Sequence, residues 1–368
     1  MSETSPGKNE LPQSFPQSKK WTLKTFAVLL PALLLVSAVL SLSLGQVRIP
    51  LSLTYRVVWY KITGLVIGDR AGLNAGSFMN IIWQIRFPRV LTAMLVGAGL
   101  SLCGTVMQAS VKNPLADPYI LGISSGASLG ATFAILIGFG AAGIFSQIGT
   151  AGGAFAGAFA ASMAVLTLAG AGGKLSSVKL VLSGMVINAL CNAFSNFIIY
   201  FANNAEGIKT VTFWTMGSLA SAKWEKLPLL SVLIGAAILF GLSQFRVLNA
   251  MLLGDEAAVT LGINITAYRR IYMVSSSLIT GVMVAYCGMI GFVGLIVPHI
   301  VRGLVGSDHR RLLPGAVLTG ALFLLWADLI ARVVLPGTEI PIGIITAMIG
   351  APVFVTMLVK KGYGFGRS

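Results

Sequence analysis

The sequence predicts an all-α protein that crosses a membrane many times. Composition is the first reason: 56% of its 368 residues are hydrophobic and 10% are charged, where soluble domains carry roughly 25% charged residues. Spacing is the second, because apolar stretches near the ~20 residues needed to span a bilayer recur along the whole chain. The third is charge placement. With about ten spans and the N-terminus inside, 16 Lys and Arg fall on the cytoplasmic side and 10 outside, the bias that orients multi-span proteins.

In chain order, residues 1–21 read as a basic cytoplasmic arm, 22–360 as one transmembrane domain and 361–368 as a cytoplasmic tail. Spans are expected at 22–45, 88–110, 119–139, 147–170, 180–202, 228–245, 271–290, 293–306, 312–334 and 341–359. The first is longer than the roughly 7–15 apolar residues of a signal-peptide core and lacks a small-residue cleavage site, so it counts as a span. Arg86 and Arg89 bracket Pro88 at the edge of the second. Pro114 and Pro118 then stop one helix and reset the chain before the next.

In the third span Gly122, Gly126 and Gly130 recur every four residues, and in the fourth Gly149, Gly153 and Gly157 do the same before Ala161. Such small-residue faces let two helix backbones approach closely. The fifth span carries Asn188, Asn192 and Asn196 at the same interval. Amides are costly in hydrocarbon, so this stripe faces water or other helices, as a wet lining or as interhelical hydrogen bonds.

Between the sixth and seventh spans, a cytoplasmic loop at about 246–270 holds L-L-G-D-E-A-A-V-T-L-G at 252–262. It predicts a short amphipathic helix ended by Gly262. Leu253, Ala257, Ala258 and Leu261 share one side, with Asp255 and Glu256 elsewhere. Acidic residues disfavour an anionic leaflet, so a cytosolic protein is the expected contact. In the ninth span, Arg332 follows Asp328 by one turn, and an internal ion pair is expected there rather than a proton relay.

Several functions are disfavoured. Cys103, Cys191 and Cys287 lie in or at the ends of apolar segments without paired spacing, as packing residues do. The nearest approach to a phosphate loop, Gly170-Ala-Gly-Gly-Lys174, has Leu168 and Leu175 where glycine and a hydroxyl are needed. His299 and His309 stand ten apart and offer no metal pair. The +15 charge follows from orientation, not from a nucleic-acid partner. The ten outside cations are not explained by that rule. A chain of this kind is a transport pathway whose energy comes from a partner or, if Asp328 couples an ion, from a gradient.

Six motifs in register resemble the permeases of type II ATP-binding-cassette importers, which take up iron-siderophores, haem and vitamin B12. They are Arg86-Phe-Pro-Arg89 with Gln108; Asn113-Pro-Leu-Ala-Asp-Pro118 with Leu121-Gly-Ile-Ser-Ser-Gly-Ala127; Phe213-Trp-Thr-Met-Gly-Ser218; Gly254-Asp-Glu-Ala-Ala258; Gly291-Phe-Val-Gly-Leu-Ile-Val-Pro-His299; and Pro341-Ile-Gly-Ile-Ile-Thr346 with Gly350-Ala-Pro352. The match runs from about 25 to 360.

The resemblance implies about ten helices per subunit in a homodimer, inside the cytoplasmic membrane of a bacterium or archaeon, with both termini cytoplasmic. Two cytosolic ATPase subunits would hold ATP and Mg, leaving this chain with no cofactor, no metal and no catalytic residue. A binding protein outside would dock on Arg86, Arg89 and Arg332. Gly254, Asp255, Glu256, Ala257, Ala258 and Gly262 would form the ATPase coupling helix. Asn113, Leu115, Ser176 and Ser177 would form the cytoplasmic gate, and the Asn188, Asn192, Asn196 stripe would line the pathway. A ferric siderophore or haem is the expected cargo, with cobalamin the alternative. The rival from another class is an ion-coupled carrier using Asp328.

Overall fold

The computed structural model describes residues 23–67, 76–138, 144–171 and 176–360. The expected arm at 1–21 and tail at 361–368 lie outside the described residues. The described residues are mostly helical: α1 (Leu23–Ser43), α2 (Leu51–Thr63), α3 (Gly76–Asn80), α4 (Phe87–Val111), α5 (Ile123–Thr132), α6 (Ile144–Gly170), α7 (Ser177–Phe201) and α8 (Ala205–Thr215). There follow α9 (Leu227–Ser243), α10 (Phe245–Leu252), α11 (Asp255–Thr260), α12 (Ile265–Cys287), α13 (Val293–Val305), α14 (His309–Val333) and α15 (Ile342–Lys360).

Among the described residues six helices are long and apolar enough to cross a membrane, and four apolar helices are shorter, at Val28–Ser43, Ile123–Gly138, Val293–Val305 and Ile342–Met357. Each coincides with one expected apolar segment. The shortest has a cause. Phe292 adopts a left-handed backbone (φ 69°), so the chain turns after α12 and α13 starts afresh. In the same way Gly122 (φ 75°) separates the 3-10 turn Pro118–Leu121 from α5.

Three boundaries differ from expectation. The second span starts a dozen residues earlier, because α3 runs through a π-helical stretch, Ile81–Arg86, into α4. Polar residues there hid an apolar face that packs on α2. The loop expected at 246–270 is mostly helix: α10 begins directly after α9, and α12 already contains Arg269 and Arg270. The third is α2 itself, which its mixed composition disguised.

Helix α4 is the centre of the bundle. It is buried along most of its length and packs against α14, α13, α12 and α9. Close approach requires glycine: a Cβ on Gly97 would sit 2.2 Å from the carbonyl oxygen of Gly320, and one on Gly104 would sit 1.9 Å from that of Gly294. The two small-residue faces of α5 and α6 pack on each other, with Gly126 against Gly157 and Ala161, and Gly130 against Gly153. Gly149 takes no part. It breaks the helix with φ 54°, and a side chain there would meet nothing within 4 Å.

Candidate functional site

The bundle has two chemically distinct ends, joined by α4. Arg86 and Arg89 stand at its start and Lys112 just past its last residue, about 37 Å apart at the 1.5 Å helical rise. Each end gathers residues singled out by the sequence.

At the Lys112 end, α11 is framed by glycines with positive φ, a region other residues rarely adopt, Gly254 (φ 124°) and Gly262 (φ 81°). The latter gives the helix its stop, as Gly262 N–H donates to Val259 and Ile263 N–H to Ala258. Asp255 faces the bundle. Its carboxylate takes two parallel bonds from Arg269 on α12, both 3.0 Å, and pairs with Lys112 at the end of α4. Arg269 also donates to the Ser110 carbonyl at 2.9 Å. Burial works to raise the Asp255 carboxyl, but the hydrogen bonds from Lys112 and Arg269 outweigh it and hold the group below the usual carboxylate range.

The amphipathic face of α11 falls differently than expected. Ala258 is buried, whereas Leu253, Val259 and Leu261 are 62–70% exposed and Glu256 is exposed beside them. Ala257 lies between. So the four apolar residues do not share one buried side: Ala258 anchors the helix, while Leu253 and Leu261, flanking it, are exposed like Val259. The neighbouring α10 is tied to α14, because Asn249 Nδ2 donates to Asp308 and Asn249 Oδ1 accepts from the His309 N–H, both at 2.8 Å.

The gate candidates lie at this same end. Lys112 closes α4 in a left-handed conformation (φ 52°). Asn113 Oδ1 then accepts from the Leu115 N–H at 2.9 Å, which fixes the turn. Both residues are half-buried. Ser176 caps α7 by accepting from the Lys179 N–H, and Ser177 is the first helical residue. These are local turn and cap roles.

Asn188, Asn192 and Asn196 all lie exposed on α7. Asn192 donates to Asn188 at 3.2 Å. Flanking Met185, Leu190, Phe194 and Phe197 are also exposed, so this face of α7 is open within one subunit. The interhelical bonding expected as one option is absent for the stripe among the described residues.

At the opposite end the three arginines differ from expectation in accessibility. All are buried, at 4–6% exposure. Arg86 donates to the Leu42, Ser43 and Val47 carbonyls at the end of α1. Arg89 pairs through Nε with Asp328 at 2.8 Å, and its Nη1 donates to both Glu339 carboxylate oxygens at 2.8 and 3.0 Å. Arg332 lies 3.0 Å from Asp328 and donates to Ser41 at 2.6 Å. The expected Asp328–Arg332 pair is therefore real, but Asp328 is shared with Arg89. Sequence reading missed Arg89 and Glu339 as its companions, since 239 residues separate Arg89 from Asp328. Beside them is a hollow of about 200 Å³ bordered by Gln46, Ile81, Ile85 and all three arginines.

A larger cavity of about 670 Å³ opens between α8, the start of α6 and the end of α12. Lys209, Lys226 and Glu206 supply its charge, with Phe213, Trp214 and Tyr286 as aromatic wall. The Lys226 ammonium sits 5.6 Å above the Tyr286 ring. No group of three His, Cys, Asp or Glu suited to a metal exists among the described residues.

Comparison with known proteins bears on the chain as a whole. The FecCD transport family profile matches residues 33–360. The hemin transport system permease protein HmuU of Yersinia pestis is 39% identical, with 89% of this chain and 93% of that protein aligned. The vitamin B12 import system permease protein BtuC of Salmonella typhimurium is 38% identical over 86% of this chain and 96% of its own. A solved metal-chelate type ABC transporter in an inward-facing conformation superimposes with a TM-score of 0.77 and 33% identity, covering 92% of this chain and 99% of that one.

Proposed function

Because this chain belongs to the FecCD transport family, the permease subunits of ABC importers, we propose that it imports a ferric siderophore or haem as one half of a homodimer. Two ATPase subunits bearing ATP and Mg seat the α11 end from the cytoplasm. A soluble binding protein meets the opposite end. Both termini are then cytoplasmic, in the inner membrane of a bacterium or archaeon.

One observation carries this reading. A six-residue helix with an exposed apolar patch is strapped by a single carboxylate to the ends of both α4 and α12. A push on Leu253, Val259 or Leu261 is thereby delivered to two membrane helices at once. Rigid-body motion of packed elements is how such a push reaches a distant site. Gly254, Asp255, Glu256, Ala257, Ala258 and Gly262 act as the coupling element, and the Asn113, Leu115, Ser176 and Ser177 turns beside it form the gate.

The open Asn188, Asn192, Asn196 face of α7 lines the pathway where two subunits meet. Docking is compatible with buried arginines if the binding protein's carboxylate enters the hollow beside Arg86, Arg89 and Arg332. Glu339, 39% exposed on its side chain, is then the internal occupant that yields Arg89 to it. Arginine suits the exchange because its planar fork takes a carboxylate at two points. Lys209, Lys226 and the aromatic wall of the large cavity favour an anionic, aromatic chelate, which supports a siderophore or haem over cobalamin.

Native mass spectrometry of the chain, purified gently without ATP, tests the assembly. Two copies with two ATPase subunits is the expected result. A chain free of ATPase, in a preparation that preserves other such complexes, overturns it.

A further inference from the structure

We propose that α2 is a membrane-surface anchor, lying in the headgroup layer with one stripe sunk toward lipid and its cations on anionic phosphates. The helix has three faces. Thr54 and Val57 are buried, in a small cluster of Ile49, Val57 and Ile82. Leu51, Tyr55, Trp59 and Ile62, spaced four, four and three residues apart, are 45–65% exposed. At about 100° per residue they occupy an arc roughly 60–140° from Thr54, while Ser52, Arg56 and Thr63 lie at roughly 160–200°. A helix resting on protein with one flank, on lipid with the next and on water with the third needs this order.

Depth agrees with register. The cluster sets Val57 against Ile82, the neighbour of Trp83. Trp83 packs on Trp224 at 4.8 Å, and the Trp224 indole donates to the Trp83 carbonyl at 2.7 Å. Tryptophans gather at the boundary between hydrocarbon and water, so this pair marks the level at which α2 lies. Exposure is also continuous with the flank of α1: Val36, Val39, Leu44 and Val47 are all 42–57% or, for Leu44, 36% exposed.

Charge selects the occupant. Arg48 and Lys61 are exposed and Arg56 is half-buried, and residues 23–67 contain no Asp or Glu. Arg56 also donates to the Ile67 carbonyl at 2.7 Å, closing the chain after α2. Amphipathic helices with aromatic and aliphatic residues on one side and Arg or Lys on another bind anionic bilayers through both. These three cations belong to the outside set that membrane orientation leaves unexplained.

The test uses the full-length protein in nanodiscs of phosphatidylcholine, with or without phosphatidylglycerol. The three native cysteines are buried, so a nitroxide can be placed selectively on Ile62→Cys or Ser52→Cys. Collisions with oxygen are expected to dominate at 62, and collisions with an aqueous nickel chelate at 52. Equal nickel access at both positions, or protection of 62 from both reagents, overturns the lipid-facing stripe. Tyr55→Cys repeats the reading should the variant at 62 not fold. For the charge, Arg48→Gln with Lys61→Gln should lower the retention of phosphatidylglycerol over phosphatidylcholine about 25-fold, given roughly fivefold per cation near a charged membrane surface. An unchanged lipid preference overturns the phosphate contact.

Discussion

Arg269 holds Asp255 through two parallel 3.0 Å bonds, and in doing so fastens α11 to the first turns of α12. Lys112 grips the same carboxylate from the end of α4. Asp255→Asn keeps the shape but leaves a buried guanidinium without its anion. We expect membrane insertion to persist while transport falls 10–100-fold and ATP hydrolysis loses its link to it. Arg269→Lys keeps the charge without the fork, so an intermediate loss is expected. Proteoliposomes of the assembled complex report both quantities. Unimpaired coupling in Asp255→Asn would falsify the strut.

The pH response of this strut has a defined sign. The folded Asp255 carboxyl lies below its ordinary value, which is about 3.9 in the unfolded chain. Its stabilisation is therefore fully present above about 4 and is lost as pH falls through the depressed folded value. The protection factors of the α11 amides, which divide out the intrinsic pH dependence of exchange, should be flat from neutral pH down to about 5 and then fall steeply in acid. A transition near pH 6–7 would point to another group.

At the opposite end, Asp328 bridges two buried arginines, one of which, Arg89, it shares with the partly exposed Glu339. Removing one partner of a buried ionic group commonly costs about 3–5 kcal/mol, because the remaining charge stays desolvated. Asp328→Asn should therefore lower the unfolding temperature and yield. A proton-coupled role predicts something different: normal stability, with transport that loses its response to an imposed pH gradient. Comparing the thermal transition with gradient dependence separates a structural clamp from a coupling ion site.

Glu339 is the readily exchanged member of that cluster. Its side chain is 39% exposed, whereas that of Asp328 is fully buried. If a binding protein's carboxylate takes over Arg89, Glu339→Gln should tighten docking several-fold by removing the competitor. Arg89→Ala should weaken docking and stability together. Surface plasmon resonance with the cognate binding protein reads the first. Unaltered affinity in Glu339→Gln would put the docking contact elsewhere.

The ten apolar segments were legible because hydropathy over about 20 residues is a strong signal. The Asp328–Arg332 pair was legible because a helix turn joins them locally. What escaped depended on distance in sequence. Arg89 meets Asp328, and Lys112 meets Asp255, only after the bundle closes. Basic residues near span ends looked sufficiently explained by orientation, which concealed Arg269 as a strut. Helix α2 escaped for another reason: its stripe alternates with polar residues over only 13 positions. On α11 a six-residue helix is too short for periodicity to say which apolar side chains turn inward. Ala258 does so and Leu261 does not, because Ala258 fits beneath the helix while the larger side chain stays outside.

The α5–α6 crossing offers a graded test of packing. A Cβ at Gly126 would lie 2.4 Å from both the Ala161 Cβ and the Gly157 carbonyl oxygen, so one of the two helices must move. Overpacking of a tight contact costs about 1–3 kcal/mol, and Gly126→Ala should lower thermal stability accordingly. Gly235→Ala is the control, because nothing lies within 4 Å of its added methyl and alanine favours the helix by about 1 kcal/mol. The pair should shift melting in opposite directions. Equal shifts would mean that α5 and α6 are held apart by something other than backbone contact.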